Sequence, residues 1–216
     1  MLGPAVPRGP VLDMGCAVGR TTFELAESRG EMVLGIDMNF GMLRVAMEVM
    51  TRGRVRFPLR RVGVVYDRKA FPATFAGMEN VDFWVCDAAQ PPFSEGAFSL
   101  AVSINVLDCL NAPYAHLTEL ARLLAPGGGA VLASPYDWTT GATPMEAWLG
   151  GHSQRSEIAG RSDALLRSLL AGGDHPGAIP ALSLVDEAEL PWRLRLHDRS
   201  RMDYQVHMMA LRKGGS

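Results

Sequence analysis

Twice in the first quarter of the chain, a short apolar run ends at an aspartate and gives way to residues at helical spacing. "GPVLDMG" leads into "RTTFELAESRG", with Phe23, Leu25 and Ala26 near one face. "MVLGID" leads into "NFGMLRVAMEVMTRG", with Met42, Leu43, Ala46, Val49 and Met50 at the same period before Gly53. A short run of that kind predicts a buried strand, and a 3.6-residue period behind it predicts a helix. Consecutive strand-helix units pair their strands in parallel through right-handed crossovers, which commits the chain to an α/β, Rossmann-like doubly wound sheet. "VDFWVCD", "AFSLAVSIN" and "GAVLASP" continue the parallel order, and the helix "YAHLTELARLLAPGGG" lies between the last two, stopped by proline and three glycines. Two closing runs, "LPWRLRLHD" and "DYQVHMMALR", predict an antiparallel pair.

Residues 54–71, "RVRFPLRRVGVVYDRKAF", break the pattern with two β-rich runs carrying Arg54, Arg56, Arg60, Arg61 and Arg68. They predict an inserted ribbon with a solvated basic face. Residues 136–180, rich in Gly, Pro, Ser and Thr, predict a loop and a helix, with "RSDALLRSLLAGG" placing Leu165, Leu166, Leu169 and Leu170 at helical spacing. A length of 216 residues, 48% of them hydrophobic, suits one core, so residues 1–216 are expected to form a single domain.

The net charge of -2 supplies no field for a phosphate backbone, and no nucleic-acid partner is expected. Cys16, Cys86 and Cys109 lie far apart, without C-x-x-C spacing, and read as reduced thiols rather than a disulfide frame or a metal site. No apolar run approaches the ~20 residues of a membrane span, and the first ten residues lack the features of a signal peptide. The expected location is cytoplasmic, with no membrane partner.

Parallel strand-helix units present ligands at the carboxyl ends of their strands, where helix N-termini offer free N–H groups. In "DMGCAVG" the small residues Gly15, Ala17 and Gly19 let a ligand approach the backbone closely. A nicotinamide fingerprint begins with glycine where Asp13 stands, so a diphosphate would meet a negative charge there. A cofactor with a cationic end suits the turn better, and a dehydrogenase is the weakest reading. Asp37 ends the second strand 22 residues beyond Gly15, where a carboxylate accepts from ribose hydroxyls. Asp87 ends the third strand, beside Ala88, where it can accept from an adenine amino group. Each aspartate alone is a helix cap; three at successive strand ends around a glycine turn indicate a nucleoside cofactor.

The set "VLDMGCAVG", "GID", "CDAAQPPFSEGAFSLAVSINVL" and "LARLLAPGGGAVLASP" resembles the class I S-adenosylmethionine-dependent methyltransferases, of the type 11 kind. The resemblance implies a seven-stranded sheet with an antiparallel last strand and S-adenosylmethionine as cofactor. It implies that Asp13 and Gly15 lie near the amino acid end, Asp37 at the ribose, Asp87 and Ala88 near the adenine, and Asn105 and Val106 beside the sulfonium, with Cys16, Ala17, Gly19 and Met38 also binding the cofactor. The family usually has glycine where Ala17 stands. Helices before the first strand commonly cover the cofactor in that family. With only "MLGPAVPRGP" in front here, the expected cover is the ribbon, a homodimer mate, a partner chain, or a segment of a longer protein.

Further features, namely "SPYDW", "TPMEAWLGG", "SDALLRSLL", "LPWRLRLHDRSRMDYQ" and the basic ribbon, are similar to the methyltransferase part of ovothiol-synthesis enzymes, which act on an imidazole nitrogen of a mercaptohistidine. That similarity implies an acceptor pocket shaped by Ser134, Tyr136, Trp138, Thr143, Trp148, Gly150 and Gly151, with Tyr204 and Gln205 from the last strand. The related pattern carries an Arg-Lys pair before the aromatic, where Met202 and Asp203 stand here.

Methyl transfer is an in-line displacement in which a protein chiefly orients the reactants. An imidazole nitrogen or thiolate is already nucleophilic, whereas a hydroxyl needs a base. Tyr136 and Asp108 are the acid-base candidates, with Asp137, His152 and Tyr204 behind them. His116 is placed on the exposed side of its helix, and His175, His197 and His207 show no partner pattern. Trp138 and Trp148 either stack on a flat acceptor or pin their loop, and Met42, Met47 and Met50 are expected to fill the core. The expected function is methylation of a small molecule, and the rival is a catalytically idle module of the same fold that serves a partner chain.

Overall fold

The computed structural model describes residues 6–170 and 175–215. The elements run β1 (Val11–Met14), α1 (Arg20–Arg29), β2 (Val33–Asp37), α2 (Phe40–Arg52), β3 (Arg54–Val62), β4 (Val65–Pro72), β5 (Val81–Val85), β6 (Phe98–Ile104), α3 (Pro113–Leu123), β7 (Leu124–Ser134), α4 (Ser162–Leu170), β8 (Leu182–His197) and β9 (Ser200–Lys213). Seven strands form one sheet in the order β5-β2-β1-β6-β7-β9-β8. Every pairing in it is parallel except those of β9, which runs antiparallel to both neighbours. This is the doubly wound architecture expected, closed by its antiparallel last strand. The order reverses between β1 and β6, and ligands of such sheets bind outside the strand ends at that switch point.

Alternation along the buried strands feeds two apolar layers. Val11, Val33 and Val81 pack with Phe23, Ala26 and Val49 of α1 and α2 on one face. Leu12, Leu34 and Ile36 pack with Leu117, Leu120, Leu166 and Leu169 of α3 and α4 on the other. α2 is fixed at both ends: Asn39 Oδ1 accepts from Met42 N at 3.2 Å, and Gly53, left-handed at φ 60°, donates to Val49 O.

Three local expectations are corrected. His116 is 0% exposed, facing the sheet beside Leu117 and Leu120. Met42 and Met47 are exposed, because Leu43, Ala46 and Val49 take the core-facing positions of α2 and only Met50 packs with them. The prolyl-glycyl segment lies inside β7, which starts directly after α3, and a register shift between Phe98 and Leu100 accommodates it. The helix "RSDALLRSLLAGG" is present as α4, and its residues 171–173 lie outside the described residues.

β3 and β4 form the expected ribbon as a separate antiparallel pair, and Arg54 and Arg56 turn to Glu48 of α2 at 3.4 and 2.9 Å. The β8-β9 hairpin outruns the sheet. β7 stops at Ser134 opposite His207, yet β8 and β9 stay paired from Leu190–Val206 to His197–Ser200, an overshoot of roughly 20 Å at ~3.3 Å per residue. At its tip Asp198 N donates to Arg61 O at 3.1 Å, so the hairpin and the ribbon meet beyond the carboxyl ends of the strands.

Candidate functional site

The turn after β1 is built on left-handed backbone. Gly15, Ala17 and Gly19 have φ of 76°, 49° and 80°. Ala17 thus carries a side chain where the backbone favours glycine. Gly15 is required twice over, because a Cβ there would lie 2.4 Å from Val106 Cγ2. The turn is held from β2: Gly15 N and Cys16 N donate to Ile36 O, and Ala17 N donates to Asp37 Oδ2 at 2.8 Å. Asp37 Oδ1 accepts from Asn39 N at 2.7 Å. A carboxylate has about four acceptor sites, so Asp37 keeps capacity for ligand hydroxyls while it fixes both loops. Met38 beside it is exposed.

Asp13 lies differently from an open ligand contact. It is 2% exposed, and Thr22 Oγ1 donates to its Oδ2 at 2.7 Å. Burial raises its carboxyl to about 6, the Thr22 bond opposes that shift, and the charge of Asp37 adds to it. Asp13 therefore faces the base of the turn and α1. Asp87 Oδ1 accepts from Ala89 N at 2.8 Å, closing the loop after β5. The carbonyl of Ala88 accepts from His116 Nδ1 at 2.9 Å, and Ser103 Oγ lies 2.9 Å from His116 Nε2. Burial holds this imidazole below its usual pKa, so it acts as a neutral strut between α3, β6 and the Ala88 loop.

At the end of β6, Asn105 has φ 55° and its Oδ1 is buried without a hydrogen-bond partner among the described residues. An orphaned buried acceptor next to Val106 and the glycine turn is unusual in a folded interior, whereas asparagine adopts left-handed backbone readily. With the spare acceptor sites of Asp37 and Asp87, it fits a ligand that brings hydrogen-bond donors.

Asp108 is 4% exposed and its carboxylate is occupied: Ser134 Oγ donates to Oδ1 at 3.1 Å, and Asp137 N to Oδ2 at 2.7 Å. The geometry makes Asp108 a staple for the turn after β7. Tyr136 in that turn has φ 58°, and its hydroxyl meets His207 Nδ1 at 2.6 Å rather than backbone. Burial, then the charges of Asp163 and Glu189, push the phenol far above its ordinary value. His207 Nε2 continues to Glu187 Oε2 at 2.9 Å, so the histidine expected to have no partner has two. Trp138 and Trp148 stack on each other at 6.3 Å and 20°, with their Nε1 groups donating to Ser162 Oγ and Thr143 O. These contacts tie the loop to α4 and to itself. Thr143 Oγ1 donates to Leu110 O, and Gly150 and Gly151 adopt left-handed backbone around α4's start.

Between this loop and the overshooting hairpin lies a cleft of about 370 Å³, lined by Asn105, Asp108, Cys109, Pro135, Asp137, Thr139, Ala142, Trp192, Leu194 and Tyr204. Tyr204 OH donates to Asp137 Oδ2 at 3.0 Å. Tyr204, expected at the acceptor pocket, lines this cleft, as do Trp192 and Leu194, which the sequence did not single out. The signal was the alternation of Leu190, Trp192, Leu194 and Leu196, which gives the hairpin one apolar face beyond the sheet.

Residues 12–132 match the family model described as Methyltransferase domain, more than half of the chain. The chain belongs to that methyltransferase family. Among its curated relatives are phosphoethanolamine N-methyltransferase 1 of Triticum aestivum, 29% identical over 145 residues, and arsenite methyltransferase of Aquipseudomonas alcaligenes, 30% identical over 142. The matches cover 67% and 63% of this chain but 24% and 36% of those proteins, so the methyltransferase domain here spans well under half of the length of either. A SAM-dependent methyltransferase structure from Methanosarcina mazei superposes with TM-score 0.63 at 18% identity, covering 98% of this chain and 96% of that one. The [4+2]-cyclase SpnF superposes with TM-score 0.59 at 16% identity over 96% and 75%. Likeness at that level carries the fold, and the reaction must be argued from the site.

Proposed function

We propose that this methyltransferase domain transfers a methyl group from S-adenosylmethionine to a small molecule, with an imidazole or thiol-imidazole nitrogen as the preferred nucleophile. The observation that carries the reading is the Asp37 carboxylate, which fixes the glycine turn through Ala17 N and the next loop through Asn39 N while keeping acceptor sites free. Asp37 with Met38 would hold the ribose, and Asp87 with the His116-braced Ala88 the adenine. Gly15, Cys16, Ala17 and Gly19 give the backbone approach, with Asp13 shaping the turn from beneath. Asn105 and Val106 border the reacting centre.

When bound, S-adenosylmethionine supplies an electrophilic methyl on a positively charged sulfur. The chain's contribution is orientation, which is worth about 7 to 11 kcal/mol when two reactants are held in line. Asp108 and Tyr136 serve this by fixing the loop that forms one wall of the acceptor cleft. A neutral ring nitrogen carries its own lone pair, so no residue has to take a proton before attack. The similarity to ovothiol-synthesis methyltransferases and the cleft's apolar wall support a flat heteroaromatic acceptor.

Calorimetric titration of the chain with S-adenosylmethionine and S-adenosylhomocysteine tests the cofactor, with NADH as control. Micromolar binding is expected, and Asp37→Ala is expected to weaken it by about a hundredfold, or ~3 kcal/mol. Unchanged affinity in that variant would sink the ribose assignment. Incubation with mercaptohistidine, followed by mass spectrometry for one added methyl group, tests the acceptor.

A further inference from the structure

The cleft beside Asn105 has an unbalanced chemistry. One wall is flat and apolar, made by Trp192, which is 46% exposed, and Leu194. The other presents the exposed Asp137 carboxylate, with the buried Asp108 behind it. Asp108 and Asp137 have no cationic partner among the described residues: their bonds are to Ser134 Oγ, the Asp137 backbone N–H and Tyr204 OH, all neutral donors. Asn105 lines the same cleft, and its buried Oδ1 has no hydrogen-bond partner among the described residues. The hairpin's arginines do not correct this. Arg193 and Arg201 turn to Asp203, and Arg195 to Asp198, on positions that alternate with the apolar face.

The titratable groups inside the cleft register the resulting field. Burial, then the charges of Asp108 and Asp137, raise the Cys109 thiol. The Asp137 hydrogen bond, burial and the same two carboxylates raise the Tyr204 phenol. An anionic acceptor entering here would meet the field of two carboxylates without a cationic partner, whereas a cation could pair with the exposed Asp137.

We propose that the acceptor cleft selects a small planar ring that carries a protonated amine, with Asp137 binding the ammonium, Asn105 Oδ1 accepting a further N–H, and Trp192 covering the ring face. The inference rests on the methyltransferase reading for what the cleft is used for, but not for what it binds. The ammonium is a handle and not the nucleophile, because a protonated amine has no lone pair. The methyl therefore goes to another atom of the ring, which is consistent with a ring nitrogen. A flat aromatic against Trp192 and a charge-assisted bond to Asp137 are separable contributions.

The test uses probes matched in ring and opposite in charge: tryptamine against indole-3-acetate, and histamine against imidazole-4-acetate. Each is titrated by calorimetry into the full chain with and without S-adenosylhomocysteine. The amine of each pair is expected to bind at least about tenfold tighter, with the gap shrinking to about threefold or less in Asp137→Asn. Trp192→Ala is expected to weaken both members of a pair by a similar factor and preserve the gap. Circular dichroism melts of both variants confirm the fold, and the surface position of Trp192 provides a second probe should Asp137→Asn unfold. Equal or tighter binding of the acids, no binding of either amine, or a charge preference that survives Asp137→Asn overturns the proposal. Failure of S-adenosylhomocysteine to bind a chain that still prefers amines would count against the methyltransferase reading alone.

Discussion

The Tyr136 hydroxyl lies 2.6 Å from Nδ1 of the buried His207, tying the turn after β7 to the strand that closes the sheet. The bond holds a non-glycine residue at φ 58°, a conformation that costs about 1–2 kcal/mol for an L side chain. Tyr136→Phe removes the hydroxyl and leaves His207 Nδ1 without its partner. A loss of about 1–3 kcal/mol is expected, which for a chain of this size lowers Tm by roughly 2–12 °C. S-adenosylhomocysteine affinity is expected to stay within about threefold, because the bond lies on the acceptor side. Differential scanning calorimetry with titration reads both, and an unchanged Tm would show that the bond contributes nothing to the turn.

Gly15 has two independent constraints, and they can be separated. Gly15→Ala adds a Cβ 2.4 Å from Val106 Cγ2 and places it on backbone at φ 76°. Backbone strain and overpacking each contribute about 1–3 kcal/mol. The variant is expected to melt well below the parent and to lose cofactor binding by more than about tenfold. Gly15→Ala with Val106→Ala removes the clash but not the strain. Its Tm is expected between the two, and full recovery would mean that φ at this position is easily met by alanine.

The sheet was legible because its inner parallel strands are buried and read as local apolar runs, ended by Gly15, Asp37, Asn105 and Pro135. Asp37 and the glycine turn were legible for the same reason: the interaction between Ala17 N and Asp37 joins neighbouring strands at a fixed chain separation. His116 was not, since its partners are the Ala88 carbonyl and the Ser103 hydroxyl, in segments that α3 meets only after the sheet has assembled. Trp192 failed for a related reason. Its alternating run predicts a strand, but which face forms a cleft depends on how far β8 and β9 continue past Ser134, a property of register between distant segments. The methionines of α2 show the opposite limit, where the apolar period was real but wider than the stripe the sheet covers.

Asp13 makes stability fall as pH rises. Its folded carboxyl sits at about 6, raised chiefly by burial, against about 3.9 in an unfolded chain. The folded state therefore binds the proton more tightly, so this contribution is full below pH ~4 and is lost as pH climbs through ~6, a span of about 3 kcal/mol. Asp13→Asn keeps an oxygen for the Thr22 hydroxyl and has no charge to bury. The variant is expected to be more stable than the parent at pH 7.5 by up to about 3 kcal/mol and to match it near pH 4. Urea midpoints at pH 4, 5, 6 and 7.5 give the two curves, and parallel curves would show that Asp13 titrates as it does in the unfolded chain.

Trp148 separates loop pinning from acceptor stacking. Its ring overlaps Trp138 at 6.3 Å and its Nε1 donates to Thr143 O at 2.8 Å, while neither indole lines the cleft that Trp192 walls. Trp148→Phe keeps an aromatic ring against Trp138 and deletes the hydrogen bond, leaving the Thr143 carbonyl without that donor. The expected loss is about 1–2 kcal/mol, seen as a Tm lowered by roughly 2–8 °C. Tryptamine affinity in the presence of S-adenosylhomocysteine is expected to stay within about twofold of the parent, whereas Trp192→Ala loses about tenfold. If Trp148→Phe instead lost affinity while keeping its Tm, the acceptor would lie over the Trp138–Trp148 pair and the cleft would have to be reassigned to that side of the loop.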